Sequence, residues 1–120
     1  MEDISINQNQ SYKNDNYKIA VLGDSLLIKG AKLIGIKEVY KDDEHIEEHI
    51  NDLFNNKSIG IVIINESIVA KIKNNKLVRA MESSLKPIFI EVPSYNEPEL
   101  YIDMLKRLII RAIGIDITNK

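Results

Sequence analysis

The sequence contains no cysteine. Disulfides, thiolate nucleophiles and thiolate metal sites are thereby excluded, and the composition suits a reducing cytosol. Histidine is almost as scarce, with only His45 and His49 present. No segment approaches the ~20 consecutive apolar residues that cross a bilayer, so direct membrane insertion is not expected. The opening MEDISINQNQ is acidic and polar and does not read as a secretory signal. Positive charge is not in excess either: 16 Lys and Arg against 18 Asp and Glu give a formal net charge of −2, with a pI near 5.7. Such a balance does not hold a nucleic-acid backbone or an anionic lipid surface, and nucleic acid is not an expected partner.

Glycine-rich phosphate loops are missing too. The turn after the first apolar run is Gly23-Asp24-Ser25-Leu26-Leu27, which fits neither GxGxxG nor GxxxxGK[ST]. Asp24 at a helix start would repel a phosphate from the positive end of the helix dipole. No cofactor is expected.

What is present is an ordinary globular pattern. The chain has 120 residues, 44% hydrophobic and 28% charged, enough for one domain with one core. Residues 1–16 are polar and are expected to form a short flexible arm. The domain is expected to run from 17 to 120. Apolar runs rich in branched residues, Lys18 to Leu22, Ile36 to Tyr40, Ile59 to Ile64 and Pro87 to Val92, read as strands. The second is half polar and reads as an edge; the third is the most apolar and reads as central.

Helical spacing fills the intervals between these strands. Leu26, Leu27, Gly30, Leu33 and Ile34 form a first stripe, capped by Asp24 or Ser25 and closed by Gly35. Asp42 or Asp43 opens a second helix with Ile46, Ile50, Leu53 and Phe54 facing inward. A third helix is expected from Glu66 to Ser83, with Ile68, Ile72 and Met81 inward and a potential break at Asn74-Asn75. The last runs from Glu99 to Ile113. This order predicts an α/β fold: a Rossmann-like, receiver-like four-stranded parallel sheet with helices on both faces and a C-terminal helix.

Chemistry in such folds collects at the carboxyl ends of the strands. A receiver domain carries a phosphoacceptor aspartate after its third strand, but this chain has Asn65, an amide and no nucleophile. Asp24 supplies a single acid after the first strand, and Lys86-Pro87 resembles the receiver's lysine–proline pair. Asp24, Asn65, Glu66 and Glu91 are expected to gather as a polar rim. His45-Ile-Glu-Glu-His49 matches the H-x-x-E-H metal pattern. However, Ile46 and Ile50 define the buried stripe, which leaves both histidines on a solvated flank, away from the carboxyl edge. No metal site and no catalytic residues are expected.

One feature exceeds what a monomer needs. With Leu105 inward, the last helix buries Tyr101, Ile102, Leu108, Ile109 and Ala112 along one stripe. Leu100, Met104 and Ile110 fall outside that stripe, flanked by Arg107 and Arg111. These five residues form a candidate partner-binding surface.

The segments KIAVLGDSLLIKGAKLIGIKEVY, IGIVIINESIVAKI, KPIFIEVPS and RAIGIDI resemble the F subunit of the archaeal A-type and related V-type rotary ATP synthases. Gly23-Asp24, Gly30, Leu33, Gly35 and Ile36 stand at that family's spacing, while Ala31 and Lys32 depart from its more usual aromatic and basic pair. The resemblance implies a non-catalytic central-stalk component without an active site, bound to the coiled-coil D subunit of the stalk. It further implies contact with the A and B subunits through the C-terminal helix, modulation of ATP turnover and ion transport, and a peripheral place on the cytoplasmic side of the cell membrane. The alternative is a degenerate receiver-like signalling adaptor lacking the phosphoacceptor aspartate.

Overall fold

The computed structural model describes residues 17–113, with side chains through Arg111. The expected polar arm at 1–16 and the closing residues 114–120 lie outside the described residues. The elements in chain order are β1 (Lys18–Gly23), α1 (Ser25–Leu33), β2 (Glu38–Lys41), α2 (Ile46–Asn55), β3 (Ile59–Asn65), α3 (Glu66–Lys71), α4 (Asn75–Ser83), β4 (Ile88–Val92) and α5 (Pro98–Ile113).

The strands form a four-stranded sheet in the order β2-β1-β3-β4, and every pairing is parallel. Val21 pairs with Ile63 and Leu22 with Ile64, while Asn65 pairs with Val92 on the other side of β3. β3 is central and β2 is an edge, as the apolar content of each predicts.

Alternation along the strands divides the core into two layers. On one face Val21, Ile63 and Val92 meet Leu27 and Ala31 of α1 and Tyr101, Met104 and Leu105 of α5. On the other, Leu22 and Ile64 meet Ile50 of α2, Ile68 of α3, Ile72, and Leu77 and Met81 of α4. Helices therefore cover both faces of the sheet.

Local chemistry sets the ends of α1. The Asp24 carboxylate accepts from the Leu27 N–H at 2.8 Å, capping the start. At the far end Gly35 has φ +96, donates to the Lys32 carbonyl at 3.0 Å, and is followed by Ile36 donating to the Ala31 carbonyl at 3.0 Å. This is a Schellman closure, which favours glycine at the left-handed position.

Three expectations need correction. The second helix opens at Ile46 with His45 in the N-cap position and no side-chain cap, rather than on Asp42 or Asp43. The segment 66–83 is two helices, not one. Ile72 takes an extended ψ of 122 after α3, and Asn74 caps α4 by accepting from the Leu77 N–H at 3.2 Å. The cap thus offers the backbone an alternative to a continuous helix. Leu33, placed on the inward stripe of α1, is 64% exposed, because the buried arc of the helix centres on Leu27, Gly30 and Ala31 and Leu33 lies to one side of it.

These layers make a direct test of the core. Leu27→Ala removes a fully buried side chain and is expected to lower stability by about 2–5 kcal/mol in denaturant unfolding. Leu33→Ser should stay within about 0.5 kcal/mol of the parent.

Candidate functional site

The strand order reverses between β1 and β3, with β2 on one side and β4 on the other. The crevice outside their carboxyl ends is the place where this class of sheet receives ligands. Here that place is filled by side chains. Asn65, at the end of β3, has no exposed surface. Its Oδ1 accepts from the Asp24 N–H at 2.8 Å, and its Nδ2 donates to the Tyr101 hydroxyl at 3.0 Å and, more weakly, to Ser94 Oγ at 3.5 Å. Tyr101, in the first turn of α5, donates its hydroxyl proton to Asp24 Oδ2 at 3.0 Å and accepts from the Tyr95 N–H at 2.9 Å.

This arrangement uses every hydrogen-bonding position of the Tyr101 hydroxyl. A phenol has one proton to donate and two lone pairs, and Asp24, Asn65 and Tyr95 occupy them all. One Asp24 oxygen caps α1 while the other takes the phenol. Burial raises the Tyr101 phenol above its ordinary value. Donation from Tyr95 and Asn65 opposes that rise, while the bond to Asp24 and its charge reinforce it. The phenol therefore keeps the proton it donates to Asp24.

Space is equally committed. A Cβ on Gly23 would lie 2.4 Å from Leu27 Cδ2 and 2.8 Å from Asn65 Oδ1, so only glycine fits beneath the amide. A Cβ on Gly30 would stand 3.2 Å from the Tyr101 Cβ, which marks the close approach of α5 to α1.

The expected polar rim is only half assembled. Asp24 and Asn65 meet, but Glu66 and Glu91 are exposed and stand outside this network. Lys86 lies at the opposite, amino edge, with its ammonium 4.3 Å from the centre of the Tyr17 ring. It therefore cannot serve as a receiver's lysine.

The histidines also need correction, since α2 begins just past the carboxyl end of β2, with His45 at its N-cap and His49 in its first turn, so that both lie toward that edge of the sheet. His49 stands beside the β2 residue Tyr40, with ring centres 5.6 Å apart. His49 Nε2 is 3.1 Å from Asp43 Oδ1, and His45 Nδ1 is 2.9 Å from Glu48 Oε1. The N–H of His45, and then the charge of His49, hold the Asp43 carboxyl below its usual range. Among the described residues no group of three or more His, Asp or Glu is placed to hold a metal ion.

The surface of α5 differs from the wheel most clearly at Met104. Tyr101, Leu105 and Ile109 are buried as expected, and Ile102 and Leu108 are half-buried. Met104, expected outside the stripe, is only 7% exposed and belongs to the core. The reason is that α5 packs against α1 as well as against the sheet, which widens its buried arc toward Leu27 and Ala31. Leu100 is 43% exposed, Arg107 and Arg111 are exposed, and Ile110 is half-buried. The side chain of Ala112 lies outside the described set.

Residues 19–109 match the family described as the ATP synthase (F/14-kDa) subunit. The chain belongs to that family. It is 36% identical over 100 residues to the F subunit of the A-type ATP synthase of Methanocaldococcus jannaschii, covering 82% of this chain and 96% of the relative. It is 30% identical over 106 residues to the protein of the same name from Thermococcus kodakarensis, covering 83% and 97%. A third, from Methanococcus maripaludis strain C6, is 35% identical over 103 residues, covering 83% and 98%.

In this ATP synthase subunit, Tyr101 is the residue that sequence reasoning uses only in part. The inward stripe accounts for its apolar body and leaves its hydroxyl without a task. A tyrosine on a core-facing stripe, one turn into a helix, signals a polar partner nearby, because a buried phenol must be satisfied.

Tyr101→Phe leaves the Tyr95 N–H and the Asn65 amide short of a partner. The substitution is expected to lower stability by about 1–3 kcal/mol in chemical unfolding. The raised phenol pKa gives the sign of the pH dependence. Its contribution is complete below the unfolded tyrosine value of about 10 and is lost as pH rises through the folded value. The difference between parent and Tyr101→Phe should therefore narrow in strong alkali and stay constant near neutrality.

Proposed function

We propose that this chain is a non-catalytic rotor component on the central stalk of an A-type or V-type ATP synthase. On this reading it binds the coiled-coil D subunit of the stalk and modulates ATP synthesis, hydrolysis and the coupled ion transport. The observation that carries the reading is the filled crevice between β1 and β3. Where a related fold would receive a ligand, Tyr101, Asn65 and Asp24 satisfy one another. Work is therefore assigned to the surface.

The surface in question is the outward side of α5. Leu100 and Ile110 offer apolar area, and Arg107 and Arg111 offer charge around it. An apolar centre ringed by charge suits a contact that must hold against torque. Met104 stabilises the helix from beneath and does not belong to the contact. The same helix, followed toward its C-terminus, is assigned the approach to the A and B subunits. Among the described residues no helix is long and apolar enough to cross a membrane. On this reading the chain is a peripheral component on the cytoplasmic side, held by its partners.

Ile110→Asp tests this reading. It is expected to weaken the complex with the D subunit by about tenfold or more, while isolated-domain stability falls by no more than about 1 kcal/mol. Titration of the two purified proteins and unfolding of the variant alone supply both numbers. Losses of equal size in free energy would return Ile110 to the core and remove the contact. Recovery of the A, B and D subunits with this chain from native membranes separates the rotary reading from a signalling adaptor.

A further inference from the structure

The two open edges of the sheet are built differently. β2 is four residues long and carries Glu38 and Lys41 at its ends, with Glu38 also 3.9 Å from Lys18. Short, charged edges of this kind resist pairing with another chain. β4 reads Ile88-Phe89-Ile90-Glu91-Val92 and has a single charge. Parallel pairing to β3 occupies one side of it, and no described strand lies on the other.

Apolar surface accompanies that open side. Ile88 and Ile90 share the face that carries α5, yet Ile88 remains 46% exposed, and Leu85 just before the strand is 86% exposed. Phe89 turns to the opposite face against Phe54, with ring centres 5.1 Å apart. Glu91, on the same face as Phe89, is exposed. Among the described residues the edge thus presents peptide groups with no strand beside them, an apolar strip on one face and one acid on the other. An extended backbone matches such a row of donors and acceptors.

We infer that β4 receives an extended segment of another component of the assembly, one that carries apolar residues at alternate positions and a Lys or Arg facing Glu91. This rests on the reading of the chain as an ATP synthase subunit in contact with others. A second copy of the chain fits less well. In an antiparallel two-fold pair each residue meets one of its own parity, so Glu91 faces Phe89 or another Glu91 and never Lys86. A basic residue from a different chain removes that conflict.

Amide hydrogen–deuterium exchange on the full chain, alone and in the purified assembly, tests the inference. Amides of residues 88–92 should exchange quickly in part when the chain is alone and slow by about tenfold or more in the assembly. Ile88→Lys and Glu91→Lys, both at exposed positions, should weaken assembly by about tenfold while the thermal midpoint of the isolated chain is unchanged. An assembly that forms without protecting β4 overturns this inference and leaves the docking role of α5 standing. Protection already complete in the isolated monomer and lost on deletion of residues 1–16 or 114–120 also overturns it, because the chain then covers its own edge. So does protection that appears only with dimerisation. Failure to enter any assembly removes the underlying reading and this inference together.

Discussion

The Tyr101 hydroxyl is the point on which the carboxyl edge of this sheet depends. It ties the first turn of α5 to the end of β1 through Asp24, to the end of β3 through Asn65, and to the loop after β4 through the Tyr95 backbone. The carboxyl ends of β1 and β3 and the loop after β4 are thus joined at one oxygen. Because the phenol is buried, each bond is made in a poorly solvated setting, where a missing partner is penalised more heavily than in water. The same oxygen stands where a ligand would enter a fold of this kind. A single interaction therefore closes the domain and removes its conventional site.

The proposed reading gives function to the exterior, and the layers distribute it unevenly. α5 packs on both α1 and the sheet, so Met104 is drawn inward while Leu100, Arg107 and Arg111 stay outside. Gly30 permits that approach, since any side chain there would meet the Tyr101 stem. Away from α5, the open side of β4 offers a second kind of contact, made by backbone groups. On the two proposals above, an ATP synthase subunit with this helical face and this edge would hold its neighbours by two distinct means. Both are consistent with a small domain that serves by position within a larger machine.

Much of this was legible in the order of residues. Strands rich in Ile and Val, separated by helical spacing, imposed a parallel sheet with two covered faces, and the purely apolar Ile59 to Ile64 run marked the central strand. Caps at Asp24 and Gly35 were readable because each answers a backbone need local to its own turn. The break between α3 and α4 was visible at Asn74-Asn75, but whether the Asn74 cap outcompetes a continuous helix depends on tertiary packing of Ile72 and Leu77. Met104 was misplaced for a similar reason. A wheel assumes one buried stripe, and it has no knowledge that α1 supplies a second wall. The histidines were misplaced because the wheel places a residue around its own helix but not along the sheet. The role of the Tyr101 hydroxyl spans 77 residues to Asp24 and 36 to Asn65, which no local pattern encodes.

The central claim is that the crevice at the β1–β3 switch is occupied by the protein's own hydrogen bonds, leaving the chain to act through its surface. Titration of the isolated chain with magnesium–ATP, followed by backbone and side-chain NMR shifts at Asp24, Asn65, Tyr95 and Tyr101, tests it most directly. The account predicts that these signals stay in place at millimolar nucleotide. Saturable shifts confined to those four residues would show that the crevice opens to a ligand and would contradict it.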